Sequence, residues 1–297
     1  MSDTALMTDS CCDLSPEMVE AAGVEVLPFP YTLDGVEHLD DFGRSMPLEE
    51  FYAALDAGAV AQTSQIPLAE YYQAFDRACG AGKSVLLVSL SSTLSGSHEA
   101  SLFARDRFLE KHPEADIHCV DSLCASGGEG LLVLEAARRL ADGETAAAVA
   151  TWLDANKMRV NHYFTVDSFQ HLIRGGRVSP AVGMAGGLLN IKPVLHMDGA
   201  GRLTLLKTPR GRRRAIAMLA DLACANIEEP ERQTVIVSHG TCPDDAAALV
   251  DLVAQQCHPR DVAVTRIGVI IGTHTGGGVL SVYFWGRSRT GEATKPS

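Results

Sequence analysis

Residues 83–90, with the sequence KSVLLVSL, form the segment that most constrains the fold. The segment follows a glycine-rich turn and is apolar at residues 85–88 and 90, which is typical of a strand covered on both faces. Further strands are predicted at residues 5–8, 24–29 and 116–121, and helical patterns alternate with them at residues 49–57, 69–81, 98–111, 127–140 and 145–158. Because such alternation favours a parallel sheet with helices on both faces, we expect an α/β N-terminal domain with a mostly parallel sheet.

The second half of the chain has a different pattern. Six strands are predicted there, at residues 160–166, 192–197, 202–208, 234–238, 262–267 and 279–285, with helices at residues 181–189, 211–225 and 244–258. The sequence MDGAG at 197–201 is a turn between two of these strands and predicts a hairpin. We therefore expect an α+β C-terminal domain with a mostly antiparallel six-stranded sheet, and domains at residues 1–160 and 161–290.

The charge of the chain limits its partners. The 297 residues carry 37 acidic and 25 basic side chains, which give a formal net charge of −12, and 46% of the residues are hydrophobic. This composition is typical of a globular protein and argues against nonspecific binding of nucleic acid, which needs clustered Lys and Arg. No apolar segment is long enough for a membrane-spanning helix, and the first residues lack the pattern of a signal peptide. We expect a cytoplasmic monomer without stable membrane insertion.

The cysteines give no sign of a metal site. They occur at positions 11, 12, 79, 119, 124, 224, 242 and 257, without a CxxC pair or the paired spacing of structural zinc sites. We expect small buried thiols in a reducing cytosol, and neither a metal nor a cofactor.

Four clusters of hydroxyl, glycine and histidine residues occur where strands should end. They are TDS at 8–10, QTSQ at 62–65, SSTLSGS at 91–97 and GTHTGGG at 272–278. Ligands of open α/β sheets bind beyond the carboxyl ends of the strands, and hydroxyl groups there donate hydrogen bonds to an anion without adding charge. Capping of helices by Ser and Thr is the alternative explanation for each cluster.

Common enzyme motifs are absent from the sequence. It contains no GxxxxGK[ST] loop, no GxGxxG, no HExxH and no GxSxG elbow. The remaining enzymatic hypothesis is an enzyme for a small acyl or phosphorylated substrate, with Ser95 as nucleophile and His274 as base. That hypothesis lacks an identifiable carboxylate to orient the histidine.

Taken in order, the motifs of this chain resemble those of the DegV family, which includes the FakB fatty-acid-binding proteins. The resemblance covers nearly the whole chain through TDS at 8–10, DL at 13–14, TSQ at 63–65, SSTLSG at 91–96, DS at 121–122, RGGR at 174–177, IKPVL at 191–195 and IGTHTG at 271–276. It implies an α/β N-terminal domain, a C-terminal domain on an antiparallel sheet, and a ligand between the two domains.

The resemblance also implies a function. One long-chain fatty acid would be bound non-covalently with a buried acyl chain, and Thr63, Ser95 and His274 would bind its carboxylate. Supporting roles are implied for Ser64, Ser92, Gly96, Thr273 and Thr275. In the family's kinase systems a partner fatty-acid kinase phosphorylates the bound carboxylate to an acyl phosphate, so the resemblance implies a carrier without catalytic residues of its own. A lipid-responsive regulatory sensor is a further alternative.

The segment KTPRGRRR at 207–214 is a basic exception in an acidic chain. Its cations lie at the start of a predicted helix, where positive charge opposes the helix dipole. A solvated helix start is the simplest interpretation, whereas the resemblance favours a docking surface for an acidic face of the kinase. The candidate docking residues are Arg174, Arg177, Lys207, Arg210, Arg212, Arg213 and Arg214. Arg174 and Arg177 either line the mouth of the site or hold the domains together, and the sequence leaves both roles open.

Overall fold

The structure is a computed structural model that describes residues 3–179 and 190–290. The helix predicted at residues 181–189 lies outside the described residues. In the N-terminal domain the elements are β1 (Thr4–Asp9), α1 (Pro16–Ala22), β2 (Glu25–Leu27), β3 (Pro30–Leu33), β4 (Val36–Leu39), α2 (Leu48–Asp56), β5 (Ala61–Thr63), α3 (Leu68–Gly80), β6 (Ser84–Ser89), α4 (Ser97–Leu109), β7 (Ile117–Asp121), α5 (Gly127–Ala141) and α6 (Ala146–Asn156). In the C-terminal domain they are β8 (Val160–Thr165), α7 (Gln170–Arg174), β9 (Val194–Met197), β10 (Leu203–Lys207), α8 (Arg212–Asn226), β11 (Thr234–His239), α9 (Pro243–Cys257), β12 (Asp261–Arg266), α10 (Val269–Thr275) and β13 (Leu280–Trp285).

The N-terminal domain contains a four-stranded sheet in the order β2-β1-β6-β7, and every pair in it is parallel. β6 is an inner strand, and its residues 85–88 are fully buried because helices cover both faces of the sheet. Leu6 of β1 lies opposite Leu86 of β6. The prediction of a mostly parallel sheet is therefore confirmed.

A second, three-stranded antiparallel sheet in the order β4-β3-β5 is absent from the sequence prediction. β3 and β4 form a hairpin through Asp34 and Gly35, which both have positive φ values of 50° and 81°. An Asp-Gly pair between alternating apolar residues is a strong hairpin signal, so the sequence did contain the information. This small sheet matters for the site because β5 ends at Thr63.

The C-terminal domain is built on a six-stranded sheet in the order β10-β9-β8-β13-β11-β12. Four of its neighbouring pairs are antiparallel, and only β11 and β12 run parallel to each other. The predicted mostly antiparallel sheet and the predicted hairpin of β9 and β10 are both confirmed. The predicted boundary at residue 160 coincides with the first residue of β8, and as a domain limit it stays a prediction.

The two faces of the six-stranded sheet have different partners. Val282 and Phe284 of β13 pack in one core with residues of α8 and α9. Tyr283, on the opposite face, packs with the N-terminal domain, since strand residues alternate between faces. There the first turn of α5 comes so close to the sheet that a Cβ atom at Gly127 would lie 2.6 Å from the Tyr283 ring. α5 therefore packs against both large sheets.

One prediction about the cysteines is wrong. Cys224, near the end of α8, and Cys257, the last residue of α9, form a disulfide with their Cα atoms 5.0 Å apart. Since α8 and α9 pack side by side on the same sheet, residues 33 positions apart meet. The other six cysteines are free thiols: those at 11, 12 and 124 are buried as predicted, whereas those at 79, 119 and 242 are only partly buried.

Candidate functional site

A largely apolar cavity lies between the two domains. The space between its lining atoms, including the part open to solvent, is about 780 Å³. Both domains supply the apolar lining, which includes Phe29, Leu90, Phe164, Leu172, Ile270 and Ile271. Most of the polar lining residues come from the strand-end clusters that the sequence singled out.

Thr63, Ser95 and His274 all line this cavity. Thr63 is the last residue of β5, Ser95 lies in the loop between β6 and α4, and His274 lies on α10. Thr63 Oγ1 and His274 Nε2 are 2.9 Å apart, which is a hydrogen-bonding distance. The structure thus brings together three residues that are distant in the sequence.

His274 is a neutral donor or acceptor in this site. Burial lowers the pKa of its imidazole to about 4, and the nearby Arg177, Arg174 and His171 act in the same direction. Its Nδ1 atom is buried without a hydrogen-bond partner among the described residues. The ring packs against Gly175, where any side chain would collide with Nδ1. A bound anion beside the ring would favour its protonated form.

The predicted supporting residues fall into two groups. Ser64 and Thr275 line the cavity, and a Cβ atom at Gly96 would collide with Gln65, which lines the cavity too. Ser92 and Thr273 are not part of the lining. The amide of Ser92 donates to Asp121 Oδ1 over 3.1 Å, and the Thr273 hydroxyl donates to the Val269 carbonyl over 2.8 Å.

The contacts of Arg177 are compatible with both roles that the sequence left open, namely lining the site and holding the two domains together. Its half-buried side chain lines the cavity, and its Nε and Nη2 atoms donate to the Leu94 carbonyl over 3.0 and 2.7 Å. It therefore joins the loop after α7 to the loop before α4, across the two domains. Arg174 is exposed and makes a 2.9 Å hydrogen bond with Nδ1 of His171.

The basic segment at 207–214 is only partly free at the surface. Arg212 is half-buried and forms a 2.7 Å ion pair with Asp245, and it also donates to Cys242 Sγ over 3.2 Å. Because of these contacts, the guanidinium of Arg212 is turned toward Asp245 and Cys242 and is not free at the surface. Lys207 is half-buried on β10, whereas Arg210, Arg213 and Arg214 are exposed.

Sequence reasoning missed a cluster of buried carboxyl groups beside the cavity: Asp9, Asp13, Asp40 and Glu129. Asp13 accepts a hydrogen bond from Ser126, a lining residue, and Thr8 donates to Glu129 over 3.0 Å. Burial raises the pKa of Asp13 to about 8 and that of Asp9 to about 6, although hydrogen bonds to each act in the opposite direction. The TDS motif at 8–10 and the DL motif at 13–14 contained two of these residues, but a lone acid in a sequence usually indicates an exposed side chain.

In the described part of the chain, no group of three or more His, Cys, Asp or Glu side chains is placed to hold a metal ion. None of the helices described has the length and apolar character needed to cross a membrane.

The fold and this cavity define a two-domain α/β protein with a largely apolar cavity between its domains. The model of the DegV family, described as an uncharacterised protein family, matches residues 3–287. A DegV domain-containing protein of Clostridium perfringens is 36% identical, over 97% of this chain and 99% of the relative. The chain therefore belongs to the DegV family.

Solved structures agree with this assignment. A fatty-acid-binding DegV family protein from Thermus thermophilus has a TM-score of 0.85 and 28% identity, with 96% of this chain and 99% of that chain covered. The fatty acid kinase B3 protein of Streptococcus pneumoniae, loaded with linoleic acid, shares the fold with a TM-score of 0.83 at 23% identity, over 96% of this chain and 99% of that chain.

Proposed function

We propose that this protein binds a long-chain fatty acid in the cavity between its domains, with the carboxylate at Thr63, Ser95 and His274. The observation that carries the proposal is a largely apolar cavity with hydroxyl and imidazole groups of three separate elements in its wall. Fatty-acid binding by the related Thermus thermophilus protein supports the same ligand class.

The energetics of such a ligand fit the lining. Burial of an acyl chain contributes about 0.8 kcal/mol per methylene, or on the order of 10 kcal/mol in total for a long chain. A carboxylate is costly to bury alone, so it needs hydrogen-bond donors such as the hydroxyl groups of Thr63 and Ser95. The net affinity is smaller than the gross term, because association and ordering oppose it.

The chain is proposed to act as a carrier for a partner kinase, which phosphorylates the bound carboxylate. Ser95 is hydrogen-bonded to Ser97 and not to His274 in the described structure. Nδ1 of His274 has no hydrogen bond to a carboxylate among the described residues. This arrangement disfavours a Ser95 nucleophile with His274 as its base. Three exposed arginines, Arg210, Arg213 and Arg214, supply a basic surface on a chain of net charge −12.

Ligand binding is tested by native mass spectrometry and lipid extraction of the protein made in bacteria. We expect one fatty acid per chain, and a folded wild-type protein that neither retains nor takes up any fatty acid would refute the proposal. Thr63→Ala and Ser95→Ala should each weaken binding by about 1–3 kcal/mol. Thr151→Ala is the matched control, since Thr151 lies on α6 and its hydroxyl donates to the Ala147 carbonyl.

Docking is tested with a bacterial fatty-acid kinase, ATP and the fatty-acid-loaded protein. The double variant Arg213→Glu and Arg214→Glu should slow acyl-phosphate formation, most strongly at low ionic strength. The control is Arg232→Glu, a charge reversal at an exposed arginine in the turn before β11. A rate lowered equally, per charge reversed, by the control variant would remove the docking role from this segment.

A further inference from the structure

The short helix α10, which carries His274, presents two glycines to the N-terminal domain. A Cβ atom at Gly268, which precedes the helix, would lie 2.8 Å from Asp13 Oδ1. A Cβ atom at Gly272, one turn later, would lie 2.5 Å from the Tyr52 hydroxyl. Residues four apart lie on one face of a helix, so this glycine face lets side chains of the other domain approach the backbone.

The start of α10 is hydrogen-bonded to that domain. The amide of Gly268 donates to Asp13 Oδ1 over 2.8 Å, and the Tyr52 hydroxyl donates to the Ile267 carbonyl over 2.9 Å. At the other end of the helix His274 meets Thr63 at 2.9 Å. Three residues of the N-terminal domain therefore hydrogen-bond to α10 or to the residues just before it.

Asp13 is itself held in a fixed position. It follows a short 3-10 turn at Ser10–Cys12 and has a left-handed backbone with φ of 48°. Only 3% of the residue is exposed, and its second oxygen accepts a hydrogen bond from Ser126. Both oxygens thus have specific hydrogen-bond partners, one from each domain, which is the arrangement that a buried carboxyl group requires.

We propose that Asp13 is a positioning residue for the head-group site: it holds the first residues of α10 so that His274 lies beside Thr63 at the ligand carboxylate. The inference rests on the proposed function for the identity of the ligand. It predicts a defect confined to the ligand's carboxylate, because Asp13 is not part of the cavity lining.

The test compares the binding of palmitic acid with that of the matching fatty alcohol, which has the same chain and no carboxylate. Asp13→Ala should weaken the binding of the acid about tenfold, within the range expected for a lost hydrogen bond to a charged group, and leave the alcohol unchanged. Asp13→Asn keeps an oxygen acceptor for Gly268 and should bind like the wild type. Glu129→Gln is the control, since Glu129 belongs to the same buried cluster and its hydrogen bond is to Thr8.

A second measurement follows His274 directly by nitrogen-15 NMR of its imidazole, without added lipid. The ring signals should move in Asp13→Ala and stay in place in Asp13→Asn and Glu129→Gln. In a His274→Ala background, Asp13→Ala should have no further effect on the affinity for the acid.

The positioning role would be overturned if Asp13→Ala lost the same factor in affinity for the acid and the alcohol, or if its His274 signals did not move. If Asp13→Ala fails to fold, Gly268→Ala is used instead, because its Cβ atom would push Asp13 Oδ1 away from the Gly268 amide. The same outcomes for acid, alcohol and His274 signals then decide. If the wild type binds no palmitic acid, the proposed function fails, whereas the NMR comparison still decides whether Asp13 positions His274.

Discussion

The substitution Asp13→Asn should change how the stability of the protein depends on pH. Burial raises the pKa of Asp13 from its ordinary value of 3.8 to about 8 in the folded protein. An unfolded chain has lost that proton well below neutral pH, whereas the folded chain still holds it. The folded state thus binds more protons, so the contribution to stability is complete below pH 3.8 and is lost as the pH rises through about 8.

The magnitude follows from the pKa. Each pH unit in this window costs about 1.4 kcal/mol of unfolding free energy while the folded group keeps its proton. From about pH 6 to about pH 8 the loss is about 2 kcal/mol, because the folded carboxyl is half-ionised at the upper limit. Asn cannot ionise, so this loss should be absent from Asp13→Asn. Groups that do not interact with Asp13 contribute equally to both proteins and cancel in the difference. Asp9, Asp40 and Glu129 interact with it electrostatically, so the difference reports Asp13 together with these acidic neighbours.

Urea unfolding at several pH values measures the effect. We expect the free energies of unfolding of wild type and variant to diverge by about 2 kcal/mol in favour of the variant as the pH rises over this window. A difference that stays constant with pH would show that Asp13 is ionised in the folded protein, and the argument from its burial would be wrong. A change in the denaturant slope would signal that the transition is no longer two-state.

Three other substitutions test the packing described above. Gly128→Ala places a Cβ atom against the buried ring of His162 and should lower the melting temperature, with a cost of about 1–3 kcal/mol; a higher melting temperature would show that the gain in helix propensity exceeds the clash. Cys224→Ser opens the disulfide with Cys257 and should cost about 3–4 kcal/mol without reductant; under dithiothreitol the variant and the wild type should unfold alike, and a persistent gap would assign the effect to packing. Arg177→Leu should increase hydrogen exchange in the loop at 91–97 and leave β11 unaffected, and equal exchange in the loop would mean that the guanidinium does not hold it.

The sequence predicted those elements whose patterns are dictated by burial alone. β6 is apolar at residues 85–88 because both faces of its sheet are covered. The continuous apolar pattern in the sequence therefore matches the burial of the strand in the structure. One part of the antiparallel sheet, the hairpin of β9 and β10, was predictable from the turn sequence at 197–201. Thr63, Ser95 and His274 were found as residues of strand-end clusters, and their convergence on one cavity was implied by a family resemblance.

Other features depend on contacts between distant residues. The segment at 272–278 was interpreted as a strand-end cluster, whereas residues up to Thr275 belong to α10. Gly272 has low helix propensity, and the helix forms where Asp13 and Tyr52 hold its first residues. The disulfide escaped prediction because a spacing of 33 residues has meaning only once two helices are known to lie side by side.

The neutrality of the proposed head-group site has a chemical consequence. Thr63 and Ser95 carry no charge, burial lowers the pKa of His274 to about 4 before an anion binds, and the Arg177 guanidinium donates to backbone carbonyl groups. A carboxylate held mainly by the neutral hydroxyl groups of Thr63 and Ser95 would keep more electron density on its oxygens than one paired directly with a lysine or arginine. It would therefore remain a nucleophile, able to attack an electrophilic phosphorus atom, so the features proposed to hold the lipid would also preserve its reactivity.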